Sequence, residues 1–425
     1  MAYPSLLWEN ADKHMPSVQE NTLCDLIVPL DFSVANRALL RRFCTSAEIS
    51  FRGKMIWRLA HDPALMDMLD ALYTETEAFE GLLRRYDKAG DEAAELLFPA
   101  VTAAYQELLA HWLNVPADGR FGVVRGYMES LIKDPGMRSL AQGIESYRSI
   151  RRGNLTLQSE SLTQKAYPCG DETAEDALLA LFAEMGVPDA MPTVRLPKEA
   201  DEATVHAYAV VYPHVLEMAR TLRRSYADML FAEPFVIRAM VSYAGEIAFL
   251  REMARHTSRM EAAGYEMCLP EVSDTRRIEI VGMRDMALVK RDMRGCDVVP
   301  NDVEMTAEEP FFLLGGANGG GKTTYLRALG LSVLFALVGC PIAARSARIY
   351  PFRRLFTHFP ANETFSDTGR FLEEEGRVRV IRENADADTV ALFNETFSGT
   401  YERKAEEYSR ELAVEMAERG VFGVY

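Results

Sequence analysis

The sequence predicts a helical region of roughly 270 residues followed by an α/β domain built on a largely parallel sheet. Three observations carry this. Apolar residues recur at helical spacing from about residue 60 to 265, short β-like runs alternate with helix beyond Cys268, and a glycine-rich loop joins one such run to an apolar helix.

In the helical region, PALMDMLDALYTETEAFEGLLRRYDKAG carries Leu65, Met68, Leu69, Leu72 and Tyr73 at the 3/4 spacing of an amphipathic helix. Gly90 follows its last basic turn and reads as a C-terminal stop. DEAAELLFPAVTAAYQELLAHWL and DALLALFAEMG repeat the pattern. RRGNLTLQSESLTQKAYPCGDET is polar and turn-rich, and MPTVRLPKEADE has two prolines in seven residues, so both read as connections. A long helical stretch then runs from about Glu202 to Ala263, interrupted or kinked near Pro213 and Pro234. Its Leu- and Met-rich faces are expected to be packing stripes.

The α/β part opens with RRIEIVGM, MALVKRD, CDVVPNDVEM and PFFLLGG as strand candidates. After the glycine loop come the helix TTYLRALGLSVLFALVG and strands around ARIYPFRRLFTHF and TVALFNETF. The change of character sets a boundary near 265–275, giving expected domains 1–270 and 271–425.

Composition narrows the function classes. At 48% hydrophobic and 26% charged, the 425 residues are an ordinary globular mixture with material for two or three cores. No eighteen-residue apolar window exists to span a membrane, and MAYPSLLWENADKHM lacks the parts of a secretory signal; a cytoplasmic protein is expected. The six cysteines form no CxxC pair and read as free thiols. A formal charge of −16 argues against a protein that simply coats nucleic acid. RRFCTSAEISFRGK and MARTLRRSY are candidate basic faces, though solvated helix surfaces explain such runs more economically.

Chemistry concentrates in FFLLGGANGGGKTTYLRALG. Gly316, Ala317, Asn318, Gly319, Gly320, Gly321, Lys322 and Thr323 satisfy G-x-x-x-x-G-K-[ST] between a strand-like run and a helix. Backbone N–H groups that converge on phosphate oxygens need positive φ angles and no Cβ atoms in the way. The helix that follows adds free N–H groups and its positive dipole end. Lys322 would set an ammonium against the β- and γ-phosphates, and the Thr323 hydroxyl would ligate Mg²⁺. The expected cofactors are therefore ATP and Mg²⁺, with ADP as product.

A phosphate loop needs a partner strand ending in acid, for the metal's water and for the attacking water, and TVALFNETFSGT supplies it, closed by Asn394 and Glu395. Glu395 is placed to orient or deprotonate the attacking water. Asn394 stands where most such enzymes carry an Asp that holds the metal through water. The amide keeps an acceptor but loses the charge, so metal affinity should fall.

These residues resemble a known family. ANGGGKTTYLRALG, VGCPIAARSARIYPFRRLFTHF and LFNETFSGT, in that order, are similar to the ATPase domain of the MutS mismatch-repair family, and VVPNDV resembles the segment leading into it. The resemblance implies an ABC-type P-loop ATPase domain behind a helical core and lever region, a homodimer with nucleotide sites at its interface, and coupling to a clamp on DNA. By position it assigns phosphate contacts to Asn318 and to the loop through Thr324, with Lys322 and Thr323 as above. It assigns the catalytic carboxylate to Glu395, the adenine contact to Val298 and Val299, and a loop reaching the partner subunit to Thr400.

The chain also departs from the family. No Phe-x-Glu mispair reader is evident near the N-terminus, and residues 152–200 are short for a full clamp. In DTGRFLEEEGRVR, Phe371 and Glu374 fit the signature loop, but Gly369 and Arg370 replace the usual Ser-Thr; Arg370 is a candidate charged finger toward the partner's nucleotide. The chain stops at VFGVY, where the family continues with a Thr-His pair, so a C-terminal truncation is expected. Two readings follow: a MutS-like ATPase coupled to DNA, in mismatch repair or related maintenance, or a nucleotide-gated dimeric scaffold with weak or no hydrolysis. A small-molecule P-loop kinase is disfavoured because nothing resembles a lid or acceptor site.

Overall fold

The computed structural model describes residues 3–9, 17–27, 30–142, 156–159, 162–165, 220–221, 223–232, 237–291, 295–317, 319–359, 367–396 and 402–425. Named elements in chain order begin with helices α1 (Glu20–Ile27), α2 (Val34–Leu40), α3 (Ser46–His61), α4 (Pro63–Lys88), α5 (Asp91–Trp112) and α6 (Gly119–Lys133). Strands β1 (Thr156–Ser159) and β2 (Leu162–Lys165), helix α7 (Ile237–Ala262) and strands β3 (Glu271–Val272), β4 (Arg277–Met283), β5 (Asn301–Thr306) and β6 (Phe311–Phe312) follow. Last come α8 (Lys322–Leu337), β7 (Ser346–Ile349), β8 (Arg354–His358), α9 (Asp367–Asn384), β9 (Thr389–Phe393), α10 (Glu402–Glu418) and β10 (Phe422–Val424).

The chain divides into two compact units, Met1–Pro4 with Ala71–Ala244, and Ser5–Asp70 with Gly245–Tyr425. In chain order α7 ends at Ala262 and the next strand begins at Glu271. The compact units nevertheless divide the chain differently, because residues 5–70 and 245–262 join the sheet-bearing part.

The first unit is mainly helical. The stripe Leu72, Thr76, Phe79 and Leu83 of α4 is buried, with Phe79 and Tyr105 stacked at 6.1 Å. Pro99 sits inside α5, and Thr102 Oγ1 donates to its carbonyl at 2.8 Å. Gly90 is not a C-terminal stop: at φ −67° and ψ 169° it is extended and caps the start of α5. Part of the expected 152–200 connection is instead an antiparallel hairpin, Thr156 pairing with Lys165 and Ser159 with Leu162. Its Thr and Leu residues suit a strand. The expected breaks at Pro213 and Pro234 lie outside the described residues.

The second unit holds a four-stranded parallel sheet in the order β6-β10-β9-β8. All five β9 residues are buried, as expected of a strand covered on both faces. Alternate residues divide the faces. Leu392 approaches Gly330 of α8, where an added Cβ would lie 3.0 Å from Leu392 Cδ1 and 2.6 Å from Leu26 Cδ2. Ala391 and Phe393 instead join Val378, Ile381, Leu412 and Met416 of α9 and α10 in one core. VFGVY supplies the strand between β6 and β9, and Gly423 is needed there because a Cβ would fall 2.2 Å from Ala391 O.

A second sheet, β3-β7-β4-β5, is mixed: β3 runs parallel to β7, while β4 is antiparallel to both β7 and β5. MALVKRD is not a strand but a 3₁₀ helix over Met286–Arg291. Asp285 accounts for this, since its Oδ1 accepts from Ala287 N at 2.9 Å and starts a turn that competes with sheet pairing.

The N-terminal helices brace this unit. Thr22 Oγ1 accepts from Thr357 N at 3.1 Å, and Val18 pairs beside Leu355 at the edge of β8. On α3, fully buried Arg52 donates to Leu7 O at 2.6 Å and to Val338 O, just past α8, at 2.9 Å. Its guanidinium lies 4.2 Å from the Trp8 ring centroid.

Candidate functional site

The glycine loop follows β6, and Leu314 N donates to Tyr425 O at 2.7 Å, so the loop leaves the sheet beside β10. Gly319 and Gly321 take φ values of 79° and 91°, which side chains rarely adopt. Added Cβ atoms at Gly315, Gly316, Gly319 and Gly321 would meet nothing within 4 Å, so this side of the loop is open. Gly321 caps α8 and, having no side chain, itself offers no acceptor to the first-turn N–H groups.

Lys322 Nζ lies over the loop, donating to Gly316 O at 2.6 Å. Thr323 Oγ1 donates to Asn394 Oδ1 at 3.3 Å, which joins the start of α8 to the end of β9. Asn394 is buried and its N donates to His358 O at 2.9 Å, while Glu395 is exposed with φ at 47°. Lys322, Thr323, Asn394 and Glu395 therefore belong to one locality, at the carboxyl ends of β6 and β9. Thr324 lies in the first turn of α8.

The remaining expected residues fare unevenly. Val298 is buried with its carbonyl accepting from Arg284 Nε at 3.2 Å, whereas Val299 is 74% exposed, so Val299 is the member of the pair open to a ligand. Arg370 falls in the first turn of α9, its side chain outside the described residues; Asn318 and Thr400 also lie outside them.

Several site neighbours carry no sequence motif. His358, Thr396 and Tyr425 surround the Glu395 turn: Thr396 Oγ1 and His358 Nδ1 are 3.3 Å apart, and Tyr425 Oη donates to Thr396 O at 3.3 Å. Burial, aided by the Arg377 charge, pushes the His358 imidazole down to about 4, so it is neutral at ordinary pH. Arg377 of α9 donates to Asp25 at 2.7 Å and to Phe359 O at 3.0 Å, while Thr357 Oγ1 donates to the same Asp25 oxygen at 2.6 Å. Burial raises Asp25 above the usual carboxylate range, although Arg377 and Thr357 oppose the shift. Strand geometry puts His358 on the same side of β8 as Phe356, but nothing in RLFTH names a partner for it.

Residues 312–410 match the family model for MutS domain V. A DNA mismatch repair protein MutS from Fervidobacterium nodosum is 34% identical over 138 residues, covering 32% of this chain and 16% of that protein. The MutS of Chlorobaculum tepidum is 32% identical over 160 residues, 37% of this chain and 18% of its own length. The MutS of Symbiobacterium thermophilum aligns over 83% of this chain at 23% identity, reaching 44% of its own length. The chain thus spans less than half the length of these relatives. Domain V is thus matched across the loop, β8, α9 and β9, and the relatives extend the likeness upstream, so what the comparisons show is a chain similar to MutS proteins with a segment that matches their domain V.

Proposed function

We propose that the sheet-bearing unit binds and hydrolyses ATP, and that this chain works as a MutS-like ATPase dimer coupling its nucleotide state to DNA in mismatch repair or related maintenance. The observation that carries the reading is the Thr323–Asn394 contact, because it joins a phosphate-type loop to the strand end that bears Glu395.

The residues suit Mg²⁺-ATP. The open glycine loop and the first turn of α8 offer amide donors, and Lys322 offers a positive charge. Thr323 would offer its hydroxyl to Mg²⁺, Asn394 its amide oxygen through water and Glu395 a carboxylate beside them, a set that leaves most of the coordination to phosphate and water. Among the described residues no group of three His, Cys, Asp or Glu side chains forms a metal cluster. Bound nucleotide would supply the electrophilic γ-phosphoryl group. The chain's own work is to hold the phosphates with loop amides and Lys322, and to orient or deprotonate water with Glu395. Val299 would cover the base. Arg370 and Thr400 are proposed to reach the partner subunit.

A lever role is proposed for the helical region up to about residue 270, as the resemblance implies. No described helix is long and apolar enough to cross a membrane.

Steady-state Mg²⁺-ATP turnover of wild type against Glu395→Ala tests the reading; equal rates would remove Glu395 from the chemistry. Asn394, neutral where a charged metal holder is usual, favours a second reading as a nucleotide-gated dimeric scaffold with weak hydrolysis. Binding to homoduplex, mismatched and branched DNA across salt concentrations separates the two. Absence of binding to all three at low salt supports the scaffold.

A further inference from the structure

Among the described residues, only Asp31 and Glu395 combine a positive φ with a side chain. A left-handed carboxylate residue persists where its surroundings over-determine it. Here both chain neighbours of Glu395 are tied to one residue. Asn394 N donates to His358 O at 2.9 Å, and Thr396 Oγ1 lies 3.3 Å from His358 Nδ1. The outer sides are tied as well, Asn394 Oδ1 to Thr323 Oγ1 and Thr396 O to Tyr425 Oη, each at 3.3 Å. His358, Asn394 and Thr396 are buried at 1%, 5% and 4% exposure, while Glu395 between them is exposed.

We propose that His358 is a positioning residue: by gripping Asn394 through its carbonyl and Thr396 through its imidazole, it holds Glu395 in the left-handed conformation that presents the carboxylate at the end of β9. The main-chain half of the grip survives any substitution, so the Thr396 contact is the half that mutation can remove. The catalytic consequence rests on the proposed role of Glu395; the conformational claim does not.

Two measurements on the full chain test this. The first compares thermal midpoints of wild type and Glu395→Gly, then repeats the pair in Thr396→Val and His358→Phe backgrounds. Glycine should raise the midpoint by roughly 1–3 °C in the wild-type background, because it adopts this φ without strain. With the grip removed the turn relaxes, and the gain should fall by at least about half. No gain in wild type, or equal gains in all backgrounds, overturns the proposal.

The second measures kcat and KM for Mg²⁺-ATP. Thr396→Val should lower kcat on the order of tenfold with KM within about twofold, and Thr396→Ser should restore it. Thr396→Val should add no further loss to Glu395→Gln. Unchanged kcat in Thr396→Val overturns the positioning role while leaving the ATPase reading intact. If wild type turns over no faster than Glu395→Gln, the ATPase reading fails, and the midpoints alone decide the clamp.

Discussion

Arg327 and Asp285 form an ion pair that fastens the helix behind the glycine loop to the turn after β4. Arg327 Nε and Nη2 lie 2.7 and 2.6 Å from Asp285 Oδ2, with the Asp285 side chain fully buried. Removing one partner of such a pair leaves an uncompensated charge. Asp285→Ala should therefore cost about 3–5 kcal/mol in denaturant unfolding. A loss below about 1 kcal/mol would mean the pair is not the anchor it resembles.

Arg52 links α3 to the far end of α8 and to Leu7 through two buried carbonyls. Arg52→Met keeps much of the side-chain bulk but leaves both acceptors unpaired, at about 1–3 kcal/mol each before relaxation. Equilibrium unfolding should show a loss of at least about 2 kcal/mol. Stability within error of wild type would show that α3 does not brace the unit.

Gly330 permits the approach of α8 to α1 and β9. Gly330→Ala should destabilise by about 1–3 kcal/mol through overpacking against Leu26 and Leu392. Leu26→Ala in the same chain should recover part of that loss, because the nearest contact is a flexible Leu26 methyl. A double-mutant cycle with no coupling would contradict the packing described here.

Stability should also fall on mild acidification. His256 is pushed down to about 3 by burial and the Arg259 charge, and His358 to about 4 by burial and Arg377. Both folded values lie below the unfolded value, so the unfolded chain binds more protons as pH falls. The stability these neutral imidazoles carry is complete above about pH 6.5 and is lost toward pH 4, at roughly 1.4 kcal/mol per pH unit for each. His256→Leu should flatten the stability profile between those limits. An unaltered slope would show that His256 is not the group responsible.

How much of this was legible beforehand follows from the range of each interaction. The loop, the helix after it and the strand ending in Asn394 and Glu395 are local patterns, and Lys322–Leu337 and Thr389–Phe393 form where periodicity and motif put them. MALVKRD reads as strand by composition, and only the Asp285 side chain turning back on Ala287 shows why it coils. Residues 5–70 read as more helix, and their union with the sheet depends on Thr22–Thr357 and Arg52–Val338, contacts more than 280 residues apart in sequence. The His358–Thr396 pair was hidden for the same reason, since strand alternation gives a direction but not a partner.

The account stands chiefly on the glycine loop as a phosphate cradle. Equilibrium binding of ATP with Mg²⁺ to wild type and Lys322→Ala tests it most directly. Loss of the ammonium should weaken binding by roughly 10- to 100-fold, the equivalent of about 1.5–3 kcal/mol for a charged hydrogen bond to phosphate. Equal affinity in the two proteins would contradict the central claim.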